Sequence, residues 1–378
     1  MLTRTLNLTS LPEKRALLNK FSLAIRRMSS SESDVIIEDI GHVGVITLNR
    51  PKALNSLDLS MVRKIHPALI RWEKEKSLVI VKAAGDKAFC AGGDVKAVVQ
   101  SAMKGGDLGF NFFREEYLLN GLIGSYKIPY IALINGICMG GGVGLSVHGK
   151  YRVATETTLF AMPETQIGLF PDVGGTYFLP RLGGRLGYYL ALTGHRLKGK
   201  DVVKAGIATH LINSDEINTV YQELLKCKTD KDIAFVLKKN NVNDNSEFSL
   251  AKDMDMINNV FSCSTIEGMF TKLKDFDTCW SIKVLDTLKK MSPTSLKVTL
   301  KALDLGKQMS LNDCLQMEFR LAVSSLVGKD FIEGVRALLI DKDQKPKWSP
   351  ATVEDVTDDI VNSFFIKLPD DQELRHKL

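Results

Sequence analysis

The chain is short of the features that mark membrane, disulfide-bonded and nucleic-acid-binding proteins. No apolar run in its 378 residues reaches the ~18 that would suggest a membrane-spanning helix. Its six cysteines, Cys90, Cys138, Cys227, Cys263, Cys279 and Cys314, form no C-x-x-C pair, so neither a zinc site nor a disulfide framework has the spacing it needs. Buried free thiols in a reducing compartment are the reading left. The net charge of +6 is not a basic face either. Residues 1–28 hold six basic residues against the single acid Glu13, and the rest of the chain carries 44 basic and 43 acidic residues. That near balance argues against a nucleic-acid surface in the body of the protein. Nucleotide and nucleophile motifs are missing too. Gly144-Leu145-Ser146-Val147-His148-Gly149-Lys150 has P-loop spacing, but Tyr151 stands where a magnesium-binding Ser or Thr is required. The same stretch offers Gly144-x-Ser146 with His148 in place of the closing glycine of a nucleophile elbow. His148 has no clear orienting carboxylate and reads as structural.

Acids are scarcest at the N-terminus. Residues up to about Ser31 are rich in Arg, Ser, Thr and Leu, with Leu17, Leu18, Phe21 and Leu23 on one helical face and Lys14, Lys20 and Arg26 on the other. That is the composition of a mitochondrial transit peptide, not of a secretory signal with its unbroken apolar core. It would end near Met28-Ser29-Ser30-Ser31, making residues 1–32 a leader. The last residues, Arg375 to Leu378, resemble a peroxisomal tripeptide only faintly, since His376 occupies the place of a small residue.

What is present is an α/β pattern. Val35–Glu38 and Val43–Leu48 read as paired strands about a turn at Gly41-His42, and Leu78–Val81, Tyr130–Ile134, Tyr151–Ala154 and Leu159–Ala161 as further strands. Helical periodicity covers Ser60 to Lys74, where Pro67 is expected to kink the helix, and Phe110 to Tyr126. Past Gly184 the chain reads as almost wholly helical, with an Asn-rich surface loop over Asn240–Glu247 and Trp348 the one residue of the charged tail expected to dock. Strand followed by helix, repeated, marks an α/β core over residues 33–225, with a helical region over 226–378.

The most unusual stretch is Asn135-Gly136-Ile137-Cys138-Met139-Gly140-Gly141-Gly142-Val143-Gly144, with five glycines where a buried helix is expected. Such a cluster is costly unless backbone must come close to a ligand. A second glycine turn, Gly92-Gly93, likewise follows a buried strand and precedes a helix. Two backbone N–H groups converging from such turns would make an oxyanion hole, which requires the absence of side chains. Downstream, Glu164 follows Met162-Pro163 and Asp172 follows Phe170-Pro171. A carboxyl among apolar neighbours has a raised pKa and exchanges protons near neutrality. The plain alternatives are a turn cap for Glu164 and a helix cap for Asp172.

Phe89-Cys90-Ala91-Gly92-Gly93-Asp94, with Asn135 to Gly142 and Arg50-Pro51-x-Ala53-Leu54-Asn55, resembles the enoyl-CoA hydratase/isomerase, or crotonase, superfamily. The resemblance implies a crotonase (ClpP-like) fold of repeated ββα units and an acyl-CoA substrate. It implies an oxyanion hole for the thioester carbonyl, carried here by Gly93 and Gly141. Hydratases of this superfamily place a glutamate two residues after the glycine triplet, where this chain has Gly144; their second glutamate is present as Glu164. Adding water to a C=C bond needs one group to position water and another to protonate carbon, so half of that machinery is missing. Met162-Pro163-Glu164 through Asp172-Val173-Gly174-Gly175, Ser292-Pro293-Thr294-Ser295 and Lys345-Pro346-x-Trp348 are instead similar to the superfamily's acyl-CoA thioester hydrolases. That resemblance implies Glu164 as nucleophile or general base, and Asp172 as a group for the substrate hydroxyl or the leaving thiolate. It implies substrate contacts from Glu116 and Gly141, and a CoA-binding segment with Ala53, Phe89, Ala91, Gly92, Asp94 and Val95. No metal or redox cofactor is implied, coenzyme A being part of the substrate; nucleic acid and membrane partners are not expected. A homo-oligomer is an open expectation, because the trimer-forming faces of this fold lie in the C-terminal helices, extended here. The alternatives are a hydratase or isomerase of the same fold, and a non-catalytic CoA- or RNA-binding member of it.

Overall fold

Alternating apolar residues in the first strands set the layering. In the computed structural model, which describes residues 33–375, β1 (Val35–Ile40) and β2 (Val43–Leu48) form an antiparallel hairpin. Parallel strands β3 (Leu78–Ala83), β5 (Tyr130–Ile134), β7 (Tyr151–Ala154) and β10 (His210–Leu211) extend it into a sheet of order β1-β2-β3-β5-β7-β10. Successive side chains point to opposite faces. Val43, Val45, Leu78, Ile80, Ile131, Leu133 and Val153 pack on one side against Val220, Leu224, Ile233 and Leu237. Ile46, Leu48, Val79, Val81, Ala132 and Ile134 turn the other way into the main core. The expected leader (1–32) and the last three residues lie outside the described residues.

A second sheet carries the chemistry-bearing turns. Its strands β4 (Ala88–Cys90), β6 (Ile137–Met139), β8 (Leu159–Ala161) and β9 (Leu197–Lys198) are ordered β4-β6-β8-β9. Strands of two or three residues leave no periodic trace, so only β8 is visible in the sequence. Pairing with neighbours, not local propensity, makes β4 and β6 strands. Their parallel register sets Ala88 beside Ile137 and Cys90 beside Cys138. Both glycine turns therefore leave the sheet side by side, each three residues beyond its cysteine.

The helix predicted over Ser60–Lys74 runs from Leu59 to Glu75 without interruption through Pro67, and Asp58 caps it by accepting the Met61 N–H at 2.9 Å. Helix Leu108–Gly124 crosses the core, and Glu116 is on its buried side. Past Gly184 the described chain is helical apart from loops and the two-residue strands β9 and β10. Most of its apolar faces join the main core, which extends from Val35 to Leu374, and the described chain from Val35 onward is one compact unit. Trp348 docks as expected, its indole N–H donating to the Lys290 carbonyl at 3.1 Å.

Gly44 shows how tightly the hairpin meets its helix: a Cβ there would lie 2.4 Å from the Trp72 ring. Gly44→Ala should lower stability by about 1–3 kcal/mol through overpacking, read as a lower urea midpoint. An unchanged midpoint would show that Trp72 is free to move aside.

Candidate active site

The two glycine turns and three buried carboxyl groups meet in one cavity of about 390 Å³. The first turn is laced to the segment after Arg50. Ala91 N–H donates to the Leu54 carbonyl (3.0 Å), Leu57 N–H to the Gly92 carbonyl (2.8 Å) and Asp94 N–H to the Leu57 carbonyl (2.8 Å). Arg50 ties both ends by pairing with Asp58 at 3.0 Å and Asp94 at 3.1 Å. Buried Asn55 completes the support: its side chain accepts the Arg50 N–H at 2.8 Å and donates to the Ala84 and Ala88 carbonyls at 3.0 and 2.8 Å. While the N–H groups of Ala91 and Asp94 are engaged, that of Gly93 has no acceptor among the described residues. Neither has that of Gly141, the first residue of the short helix Gly141–Gly144, where backbone donors lack intrahelical partners.

A Cβ at these positions would press on the groups of the site itself. A Cβ on Gly141 would lie 2.6 Å from Glu116 Oε1 and 3.4 Å from the Gly93 nitrogen, and one on Gly140 would lie 3.0 Å from Glu164 Oε1. The same distances show that both carboxyl groups and both free N–H groups surround one small volume. Asp172 completes the ring, its Oδ2 accepting from the Tyr117 hydroxyl at 2.7 Å. Neither plain alternative holds. Pro163 occupies the cap position of the short helix Glu164–Ile167, and Gly174 that of the helix after Asp172.

The electrostatics follow from burial without counter-charge. Glu116, Glu164 and Asp172 are 1%, 5% and 4% exposed, and none is in an ion pair among the described residues. Burial pushes Glu116 well above the ordinary carboxylate range, and the charges of Asp172 and Glu164 push it further. Burial does the same to Glu164, followed by the charge of Asp172. Asp172 is raised only to about 6, since the Tyr117 hydrogen bond opposes its burial. The charge of Asp172, when it is ionised, favours protonation of the other two. Glu116 Oε1 and Glu164 Oε2 are buried without hydrogen-bond partners, which in a native pocket points to a ligand that supplies them.

Of the residues expected to bind CoA, Ala91, Gly92, Asp94 and Val95 line the cavity, together with Leu54. Ala53 lies on the exposed surface of the adjoining turn. Phe89 has no exposed surface and packs in the core behind the turn, so it shapes the turn without reaching the cavity. Gly144 is also away from the lining: a Cβ there would meet Asn120 Nδ2 and Val173 Cβ, each at 2.7 Å. A glutamate at 144 has no room to reach the site. Tyr117 and the lining residues Phe112, Phe113, Gln166, Leu338 and Leu339 carried no motif to reveal them. Glu318 did carry a signal, as a charge among Cys314, Leu315, Phe319, Leu321 and Ala322 on the buried side of its helix.

The chain belongs to the enoyl-CoA hydratase/isomerase family, whose model matches residues 43–365. Among its curated relatives, the 3-hydroxyisobutyryl-CoA hydrolase, mitochondrial, of Xenopus tropicalis is 54% identical, over 89% of this chain and 90% of the relative. The protein of the same name from Homo sapiens is 50% identical, over 92% of each. Of solved structures, a carnitinyl-CoA dehydratase from Mycobacterium thermoresistibile is 36% identical with a TM-score of 0.86, covering 92% of this chain and 99% of that one. An enoyl-CoA hydratase from Rhodobacter sphaeroides is 35% identical with a TM-score of 0.82, covering 91% and 100%. The architecture is the crotonase fold expected from the sequence.

The raised carboxyl groups bear on stability. The folded state keeps protons that the unfolded chain, with glutamates near ~4.3, has already released. Their contribution is therefore complete below pH ~4 and is lost as pH rises through the folded values, about 6 for Asp172 and well above the ordinary range for Glu116 and Glu164. The unfolding temperature should fall between pH 5 and pH 8, and Glu116→Gln should narrow that fall by about 2 °C or more. An equal fall in both proteins would contradict the shared protonation described here.

Proposed function

We propose that the chain hydrolyses 3-hydroxyisobutyryl-CoA to 3-hydroxyisobutyrate and CoA, as a step of valine breakdown in the mitochondrial matrix. The observation that carries hydrolysis over hydration is the packing at Gly144, where Val173 and Asn120 occupy the space a second hydratase glutamate would need. The substrate comes from the relatives, at about 50% identity, that bear this enzyme's name. The two solved structures described as a dehydratase and a hydratase are more distant, at 36% and 35%. The basic leader over residues 1–32 and the relatives' mitochondrial names support the location.

In this reading the thioester oxygen accepts from the N–H groups of Gly93 and Gly141, which are fixed before charge develops on it. In its ionised form Glu164 either attacks the carbonyl carbon, expelling the CoA thiolate and leaving a mixed anhydride for water to cleave, or takes a proton from a water that attacks directly. Asp172 binds the acyl hydroxyl or passes a proton to the departing sulfur, and Glu116 contacts the acyl group. The CoA chain follows Leu54 and Ala91 to Val95, with Ala53 at its outer edge. No metal or redox cofactor takes part in this route. A 3-hydroxypropionyl thioester differs by one methyl group, worth only about 1–3 kcal/mol of discrimination, so it should also be turned over.

Glu164→Gln is expected to lower kcat for thiol release from 3-hydroxyisobutyryl-CoA by about a hundredfold or more. Full activity in that variant would remove Glu164 from the mechanism. Gly141→Ala sets a methyl group against the Glu116 oxygen and should depress kcat more than substrate affinity, as loss of transition-state binding does. A change confined to KM would show that Gly141 binds substrate without stabilising the oxyanion.

A further inference from the structure

Asp172 is delivered by a backbone that its own sequence disfavours. The next residue, Val173, is wholly buried and has φ +51°, the left-handed region in which a β-branched residue is an outlier. Such a conformation persists only where its surroundings impose it. The facing helix leaves room for it, because a Cβ at Gly144 would lie 2.7 Å from Val173 Cβ and 3.1 Å from Cγ1. Val173 therefore fills the volume in front of Gly144.

Two side chains hold the backbone around it. His148 Nε2 lies 2.7 Å from the Val173 carbonyl oxygen. Glu318, on helix Leu311–Val327, is fully buried. It accepts the N–H of Gly174 at 2.7 Å, the N–H of Thr176 at 2.9 Å and the Thr176 hydroxyl at 2.6 Å. Glu318 is in no ion pair among the described residues; burial raises its carboxyl to about 8, and the three donors converging from one loop only partly oppose that. It does not line the cavity; it reaches the site through the loop and through its charge, the least of the causes that raise Glu164, and rescue by Val173→Gly separates the two routes.

We infer that Gly144, Val173 and Glu318 are one positioning unit for Asp172. The missing side chain at 144 admits Val173, Glu318 holds the loop in its strained form, and Asp172 is thereby carried to the Tyr117 hydroxyl and into the cavity. The hydratase carboxylate absent at 144 and the carboxylate present at 172 are then two sides of one exchange: the site loses an acid from the glycine helix and gains one from the opposite loop. The inference rests on the functional reading of Asp172 above.

Glu318→Gln keeps the side-chain shape but turns an amide NH₂ toward loop donors. Its kcat, measured on whichever acyl-CoA the unaltered chain turns over fastest, should fall about tenfold or more while KM stays within about twofold, as misplacement of a reacting group requires. Adding Val173→Gly supplies a residue that takes positive φ freely. The double variant should regain at least about threefold in kcat over Glu318→Gln, although deleting a buried valine lowers its unfolding temperature further. Recovery of activity against falling stability is something a merely structural role would not produce. If Glu318→Gln does not fold, the comparison of Gly144→Ala with Gly144→Ala/Val173→Gly reads the same unit, with rescue again expected. Unchanged kcat in Glu318→Gln, or no rescue by Val173→Gly in either background, overturns the inference. Turnover by the unaltered chain tests the functional reading, and the ratios between variants test the positioning unit.

Discussion

The site depends on the burial of three carboxyl groups in a pocket that gives them no cation. Burial pushes Glu116, Glu164 and Asp172 all above the ordinary carboxylate range, and they differ in their partners. Asp172 has a hydroxyl donor at 2.7 Å; Glu116 and Glu164 each keep a buried oxygen without one. In the proposed reaction a bound thioester would meet protonated and ionised carboxyl groups together, as acid–base work requires. The electrophilic side would fall to backbone N–H groups, which stabilise developing charge without adding a formal charge of their own.

Those donors come from sheet geometry. Because β4 and β6 pair in parallel with Cys90 beside Cys138, the two glycine turns open at neighbouring points, and no side chain has to be recruited to bring them together. Arg50 and Asn55 secure the first turn from outside the cavity, which explains why the Arg50–Asn55 segment belongs with the glycine motifs although most of it does not line the pocket. The second turn rests on the absence of Cβ atoms, since Gly140 and Gly141 each stand against a carboxyl oxygen.

Much of this was legible in the sequence. The glycine turns signalled close backbone approach, Glu164 and Asp172 stood out as carboxyl groups in apolar company, and the long parallel strands showed their periodicity. What stayed hidden depends on tertiary placement. Strands β4 and β6 are too short to show a period. Tyr117 is one aromatic among several on its helix, and nothing local says that its hydroxyl meets Asp172. Phe89 sits within the segment expected to bind CoA, yet it faces the core. Gly144 was informative as a missing side chain, but only the structure shows that Val173 has taken its place.

The central claim is that this arrangement directs water to the thioester carbonyl and not to a C=C bond. The direct measurement presents one preparation with 3-hydroxyisobutyryl-CoA and with crotonyl-CoA, following thiol release from the first and loss of the conjugated double bond of the second. Brisk thiol release with no hydration is the result this account predicts; hydration of crotonyl-CoA with 3-hydroxyisobutyryl-CoA left intact would contradict it.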